Sequence, residues 1–209
     1  MTSPKEQVYL DLPLNVEGRI RILDIQDGQQ DDNISCTMTT ACLDDPDLTY
    51  CCLSYAWGDS SIQQTVICNG VDMPITQNLW SALRRIQRMA TGRWWIDALC
   101  INQHDDVERA EQVKQMKRIY AQAKRVWADI GPAHAPDRVD YLFAGMRKLG
   151  ELLCSFEDPM NNTTFVDSFR FEEYGLPAYD DDFWFMWTEM IARPYFQRTW
   201  VVGLDISYR

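Results

Sequence analysis

The sequence carries little positive charge for its length and contains no long apolar run. Its 209 residues include 20 Lys and Arg against 31 Asp and Glu, which gives a formal net charge of −11. Without a basic surface nothing neutralises a phosphate backbone, so the composition argues against sequence-independent nucleic-acid binding. No apolar run approaches the ~20 residues of a membrane-spanning helix, and the N-terminus lacks the basic and apolar regions of a secretory signal. These absences predict a cytoplasmic protein with neither a membrane nor a nucleic-acid partner.

The sequence also lacks the patterns of metal and phosphate sites. Its seven cysteines are odd in number and include no CxxC pair, as expected of free thiols in a reduced, intracellular protein. With only His104 and His134, no cluster has zinc-site spacing, and the acidic runs 44–47 and 180–182 lack calcium-loop spacing. Those runs are interpreted as solvated loops or helix caps. No GxxxxGK[ST] motif occurs, so the sequence predicts no metal, no resident cofactor and no hydrolysis of the P-loop type.

The order of apolar patterns indicates the fold class. A chain of this length fits one domain that buries roughly 70% of its unfolded surface. Strands, helices and turns alternate through its centre, which predicts an α/β fold with a mainly parallel sheet, flanking helices and right-handed crossovers. The sequence predicts three parts. The first is a β-rich lead-in (1–49) whose two strands are joined by the polar loop 27–33, and the last is a helical C-terminal part (132–209). Between them lies a core (50–131) with strands 51–57, 94–99 and 125–130, an Asn69-Gly70 hairpin, and helices from 76 or 78 to 89 and from 105 or 106 onward.

The C-terminal part has a different pattern. Apolar spacing predicts a helix over 136–156, and the polar, turn-rich stretch 157–178 has the composition of an insertion. Three aspartates at 180–182 then begin a second helix, 183–192, which Pro194 ends. The four aromatic residues of this helix favour a core role over a ligand-binding role, because large rings supply much buried area.

The stretch 93–111, RWWIDALCINQHDDVERAE, combines a buried strand pattern with polar groups suited to a site. Residues 94–99 form a nearly continuous apolar run that Asp97 interrupts, typical of a strand covered on both faces. Ligands of open α/β sheets bind beyond the carboxyl ends of strands, where Asp97 to Gln103 would lie. A carboxylate inside an apolar strand is costly unless it is hydrogen-bonded. Asp97 is therefore either a structural link between strand and loop or part of the site.

The residues after this run allow several roles. Cys100 near His104 suggests a thiol nucleophile. The two residues come from one short stretch rather than from distant segments, and no glycine-rich turn that could form an oxyanion hole follows the cysteine, which disfavours a protease. Asn102 and Gln103 fit backbone hydrogen bonds that hold the loop. Glu108 either points over the strand ends or lies on a solvated helix face beside basic neighbours. The residues at helical spacing that predict the inner face of this helix are Val107, Ala110, Val113, Met116, Ile119, Tyr120 and Ala123.

Several of these segments, taken together, resemble the fungal heterokaryon-incompatibility (HET) domain. They are LSYAWGD (53–59), ICNGVDMPITQNLWSAL (67–83), the run from WWIDALC to VWADIG (94–131) and ARPYFQRTWVV (192–202). The resemblance implies a protein of fungal self/non-self recognition and regulated cell death. It also implies a fold similar to Toll/interleukin-1 receptor (TIR) domains, and a partner that is a second copy or another incompatibility protein.

The resemblance further implies a site and a possible reaction. TIR-like enzymes cleave the nicotinamide–ribose bond of NAD, which a carboxylate near the ribose assists as positive charge develops. The implied catalytic residues are Asp97 and Glu108. The implied ligand-binding residues, for NAD as substrate or another nucleotide, are Ser54, Tyr55, Trp57, Gly58, Asp59, Cys100, Asn102, Gln103, Arg198 and Trp200.

One departure from the family pattern bears on catalysis. HET sequences typically continue from the tryptophan with two apolar residues and then Gln-Glu, but here Gly203 and Leu204 follow Val202. Asp205 lies one position later, about 100° around a helix. A divergent inactive relative, a truncated gene and an altered sequence would each produce this ending. The expectation is a signalling or assembly module, and the alternative is an NAD glycohydrolase that is weak or inactive in this chain.

Overall fold

The computed structural model of the chain describes residues 3–26, 33–89, 92–133, 135–155 and 168–197. The chain divides into two compact units between Gly131 and Pro132. This division coincides with the change of pattern that the sequence shows after residue 131.

The first unit contains a seven-stranded sheet with helices on it. The strand order across the sheet is β5-β4-β2-β1-β6-β3-β7. The strands are β1 (Arg19–Ile25), β2 (Ser35–Cys42), β3 (Cys51–Tyr55), β4 (Gln63–Cys68), β5 (Val71–Thr76), β6 (Arg93–Trp95) and β7 (Arg125–Asp129), and the helices are α1 (Pro4–Asp11), α2 (Gln77–Met89), α3 (Asp97–Cys100) and α4 (Asp106–Gln122).

The core of the sheet is parallel, as predicted. Strands β6, β3 and β7 lie side by side in the same direction, with Cys52 opposite Trp95 and Ser54 opposite Ala128. Strand β1 runs antiparallel to both of its neighbours, and β4 is antiparallel to β5, so the sheet as a whole is mixed. The α/β class is confirmed, and "mainly parallel" describes the core that carries the motif residues.

The lead-in forms the predicted strand pair, because β1 and β2 are antiparallel from Arg19 opposite Cys42 to Ile25 opposite Cys36. Most of its loop lies outside the described residues. The hairpin is also confirmed, since Asn69 and Gly70 have φ of 51° and 78° between β4 and β5. Positive φ at both central positions is the geometry of a two-residue turn whose twist matches that of the strands.

The predicted strand over 94–99 is wrong beyond Trp95. The chain leaves the sheet there and makes the single helical turn α3, in which the Cys100 amide donates to the Ile96 carbonyl at 2.8 Å. Asp97 begins this turn, and its Oδ1 accepts from the Ala98 amide at 2.8 Å. A short apolar run has the same composition in a buried strand and in a buried helical turn, so periodicity alone did not separate them.

The predicted inner face of α4 is partly wrong. Val107 and Val113 are 76% and 54% exposed, whereas Gln112, Ile119 and Tyr120 are buried. Asp105 caps the helix by accepting from the amides of residues 107 and 108. The rotation of α4 follows from polar contacts of its inner face, such as the bond from Gln112 Nε2 to the Arg19 carbonyl at 3.1 Å.

Helices α2 and α4 lie on opposite faces of the sheet. Consecutive strand residues point to opposite faces, and Trp95 packs edge-on against Tyr120 of α4 at 5.6 Å. The preceding residue, Trp94, packs against Trp127 of β7 at 5.9 Å. Two residues further along β7, on the face of Trp127, Asp129 pairs with Arg85 of α2.

The second unit is helical, as predicted. It contains a 3₁₀ turn (Pro136–Arg138), α5 (Val139–Ser155), a 3₁₀ helix (Ser168–Tyr174) and α6 (Asp182–Ile191). Asp181 caps α6, and Phe183 is fully buried against Gly145, whose missing side chain makes room for the ring. The prediction of a core role holds for Phe183, but Phe185 is 71% exposed. Much of the predicted insertion lies outside the described residues.

The hydropathy of the described helices agrees with the absence of long apolar runs in the sequence. Across the described ranges, none of the helices has the length and apolar character that crossing a bilayer requires.

Candidate functional site

Asp97 links the carboxyl ends of the two central strands β3 and β6. Its side chain is 6% exposed, and its Oδ2 accepts from the Trp57 indole N–H at 3.0 Å. The Nε2 group of the Gln103 side chain donates to the Asp97 backbone carbonyl at 2.9 Å. A buried carboxylate is tolerated when it is hydrogen-bonded in this way. Asp97 therefore has the structural role that the sequence offered as one of two readings, and it lies at the predicted strand ends.

Trp57 presents a fixed aromatic ring to solvent. The residue is 41% exposed although its N–H is held by Asp97. The loop behind it is tied to α2, because Asn78 Nδ2 donates to the Ala56 carbonyl at 3.1 Å. Gly58 has φ of +74°, and a Cβ there would lie 2.5 Å from the Asn78 side chain. Only glycine fits this close approach.

Asp59 lies on the outer side of the same loop. Its Oδ1 accepts from the Ser61 backbone amide at 2.8 Å. The pKa of this exposed carboxyl is lowered by hydrogen bonding from the Ser61 side chain and, to a lesser extent, from the Ser61 backbone amide. Ser54 and Tyr55, at the end of β3, are each 2% exposed. The exposed part of the predicted pocket at this strand end consists of Trp57, Gly58 and Asp59.

A buried ion pair organises the other half of the motif. Arg21 of β1 is 1% exposed, and its guanidinium binds both carboxylate oxygens of Glu108, at 2.6 and 2.9 Å. The Arg21 side chain also donates to the carbonyls of Tyr9, Leu12 and Cys100. A bidentate, charge-assisted pair with these further bonds leaves the buried cation well satisfied.

Glu108 holds the loop that follows α3. Besides binding Arg21, its Oε1 accepts from the Asn102 amide at 2.6 Å. The Asn102 side chain in turn accepts from the His104 amide, and Arg109 donates to the Gln103 carbonyl. The expectation that Asn102 and Gln103 engage in backbone hydrogen bonds is confirmed. The partner of Glu108 is Arg21, and not the neighbouring Arg109 or Lys114.

Sequence reasoning missed α1 and Arg21. Helix α1 opens with a capping box, in which Ser3 and Glu6 each accept from the backbone amide of the other. This Ser-x-x-Glu pattern was a readable signal. The Tyr9 ring lies 4.8 Å below the Arg21 guanidinium, and the Tyr9 hydroxyl donates to the Leu99 carbonyl. Helix α1 is thereby bound to both β1 and α3.

Cys100 and His104 lie in different environments. Cys100 has no exposed surface, and its Sγ accepts from the Ile96 amide at 3.4 Å, whereas His104 is exposed. Burial raises the pKa of the Cys100 thiol to about 12. A nucleophilic cysteine needs a lowered pKa and access to solvent. The geometry gives Cys100 the properties of a small core residue.

We expect alkylation of the native chain to separate these thiols. In iodoacetamide near neutral pH the exposed Cys154 should react readily, and Cys100 should react only after unfolding, because its thiolate is disfavoured and enclosed. Peptide mass spectrometry of native and urea-unfolded samples measures the two rates. Rapid labelling of Cys100 in the native chain would contradict its assignment to the core.

Part of the predicted site lies outside the described residues. This applies to Arg198 and Trp200, to the 203–205 segment on which the catalytic argument depends, and to His134. Among the described residues, no group of three or more His, Cys, Asp and Glu side chains is arranged to hold a metal ion. The structure brings together Trp57, Asp97 and Gln103 in one cluster, and Asn102, Glu108 and Arg21 in a second.

The comparisons with known proteins identify the family of the chain. The sequence profile of the heterokaryon incompatibility protein (HET) family matches residues 50–203, which is most of the chain. The chain therefore belongs to the HET family.

A curated relative is similar over part of its length. It is heterokaryon incompatibility protein 6, OR allele, of Neurospora crassa, which is 33% identical over 129 residues covering 54% of this chain. The match spans 19% of that protein's own length. No solved structure matches the chain.

Proposed function

We propose that this chain is a TIR-like signalling and assembly module of fungal self/non-self recognition, whose action leads to regulated cell death. The observation that carries this proposal is that both motif carboxylates, Asp97 and Glu108, are bound by other groups of the same chain. Glu108 binds Arg21 and the Asn102 amide, and Asp97 binds Trp57 and the Ala98 amide. The polar groups of the motif build a rigid surface.

The binding of these carboxylates within the chain bears directly on catalysis. A carboxylate that stabilises an oxocarbenium-like state must turn toward the substrate. Glu108 cannot do so without leaving the buried Arg21 cation unpaired, which is strongly unfavourable. Rigid presentation of a surface suits assembly better than turnover.

The second candidate is NAD hydrolysis, and one observation favours it. The Trp57 ring is partly exposed and held in a fixed orientation at the carboxyl end of β3, where an aromatic base or nicotinamide ring would stack. The neighbouring residues Gly58 and Asp59 are exposed as well.

We expect the 209-residue chain to release little or no nicotinamide from NAD, because Gly203 and Leu204 stand where the family carries Gln-Glu. The variant Gly203→Gln, Leu204→Glu should release nicotinamide well above the parent, since it supplies a carboxylate near the ribose. Chromatographic quantification of nicotinamide measures both. The matched control is Gly203→Gln, Leu204→Gln, which lacks the charge. Turnover by the parent chain that Glu108→Gln abolishes would place the catalytic acid on α4 instead.

Cell death itself is tested by inducible expression in a filamentous fungus. Under the proposal, expression of the chain reduces viability, measured by a vital dye. The Arg21→Met variant, expressed to the same level, does not, because its motif surface is disrupted. Normal growth during accumulation of folded wild-type chain would rule the proposal out.

A further inference from the structure

Helix α2 carries an unusual concentration of positive charge. In a chain of net charge −11 it contains Arg84, Arg85 and Arg88 and no acidic residue. Arg85 is engaged by Asp129 of β7. The half-buried Arg84 lies over the Trp80 ring at 4.9 Å and donates to the Gln87 side chain at 3.3 Å, and Arg88 is exposed. We call Trp80, Arg84 and Arg88 the basic face.

An acidic cleft lies at the opposite face of the sheet, between the loop after β2 and helix α4. Its volume is about 420 Å³, and Asp44, Asp45 and Asp47 are exposed in or beside it. Asp44 pairs with Arg118, so the excess negative charge comes from Asp45 and Asp47. The lining residues are Leu43, Asp44, Asp45, Pro46, Leu48, Tyr50, Arg118 and Gln122. This set, with Asp47, is named the acidic cleft.

We propose that the basic face of one copy of this chain docks into the acidic cleft of a second copy. Because α2 and α4 lie on opposite faces of the sheet, the two surfaces of one chain cannot meet each other. Contact between two different patches is heterologous, so it adds copies head to tail in an open assembly unless rotation closes a ring. The inference rests on the proposed assembly function and names its partner and surfaces.

The chemistry of the two surfaces is complementary. Arginine and tryptophan are the residues that most often dominate binding energy at interfaces. Guanidinium groups pair with carboxylates through two parallel hydrogen bonds, which Asp45 and Asp47 offer to Arg84 and Arg88. The apolar part of the cleft, at Pro46 and Leu48, provides a contact for the Trp80 indole.

Two aspartates of the other acidic run are engaged by neighbouring side chains. Within the second unit, Asp181 accepts from the Tyr141 hydroxyl, and Asp182 pairs with Arg138. A single helix face also buries less area than a standard interface, so the association is weak and charge-dependent. It weakens as salt shortens the Debye length below about 10 Å.

Sedimentation velocity of the full chain tests the proposal over a range of concentrations, at low salt and at high salt. We expect species that grow with concentration and that high salt dissociates. Arg84→Glu with Arg88→Glu, and separately Asp45→Lys with Asp47→Lys, should each weaken self-association at least roughly tenfold. Unchanged thermal melting shows that each variant is folded.

Mixing the two variants distinguishes this contact from nonspecific attraction. Each variant alone carries two surfaces of like charge and should stay dissociated. In the mixture the intact cleft of one variant meets the intact basic face of the other, and their two reversed surfaces are also complementary, so assembly should be restored. The chain with all four substitutions should assemble again, because the charges are exchanged across the contact. The proposal would be overturned by a wild-type chain that is monomeric at every concentration, or by either variant associating like wild type on its own. It would also be overturned by a mixture, or a chain with all four substitutions, that stays dissociated. Cell death caused by a monomeric chain would overturn this contact but leave the proposed function standing.

Discussion

Replacing Arg21 with methionine should lower the free energy of unfolding by about 3–5 kcal/mol. The substitution leaves the Glu108 carboxylate, which is 14% exposed, without its cation. It also removes the donor to the carbonyls of Tyr9, Leu12 and Cys100. Chemical denaturation followed by circular dichroism measures the change.

Two further variants make this result interpretable. Arg93→Met removes an exposed arginine from the neighbouring strand and should change the free energy of unfolding by less than about 0.5 kcal/mol. Arg21→Met combined with Glu108→Leu should recover part of the loss, because no charge is then left unpaired. Equal stability of Arg21→Met and Arg93→Met would show that the ion pair does not hold the motif.

Substitution of Asp97 should also lower the free energy of unfolding, by an amount that depends on whether the new side chain can accept hydrogen bonds. Asp97→Leu should lose about 2–3 kcal/mol, because the Trp57 indole and the Ala98 amide lose their acceptor. Asp97→Asn retains an acceptor oxygen and should keep most of the stability. Thermal melting of the two variants compares them.

A double-mutant cycle isolates the link between the two strand ends. In a Trp57→Phe background the indole donor is already gone, so the penalty of Asp97→Leu should fall by about 1 kcal/mol. An unchanged penalty would place the role of Asp97 in the α3 turn alone. If Asp97→Leu and Asp97→Asn both melt like wild type, the carboxylate is not a structural link.

The elements that the sequence predicted well are those with strong local signals. The Asn69-Gly70 turn, the β1–β2 pair and the parallel strands β3, β6 and β7 follow from turn chemistry and apolar periodicity. Their adjacency in turn predicted that Asp97 and the residues after β3 come together. The hydrogen bond between Trp57 and Asp97 confirms that these residues lie close together.

The elements that the sequence missed depend on contacts between distant residues. Arg21 and Glu108 are separated by 87 positions, and no local pattern marks an arginine in an alternating strand as buried. The orientation of α4 was mispredicted for a related reason. Polar Gln112 bonds to β1, whereas apolar Val107 and Val113 face solvent. The apolar residues at helical spacing therefore do not mark the buried face of α4, as they ordinarily would.

The position of β1 in the sheet shows that the folded unit begins before the segment that the family profile matches. The family match begins at residue 50, yet β1 lies between β2 and β6 and contributes Arg21 to the motif. A gene fusion or recombination event joined at residue 50 would transmit every recognisable motif. It would also strip the backbone partner from one edge of β6, which is a surface prone to aggregation. A segment that begins at residue 50 would therefore contain the family motifs but lack a strand on which the stability of their sheet depends.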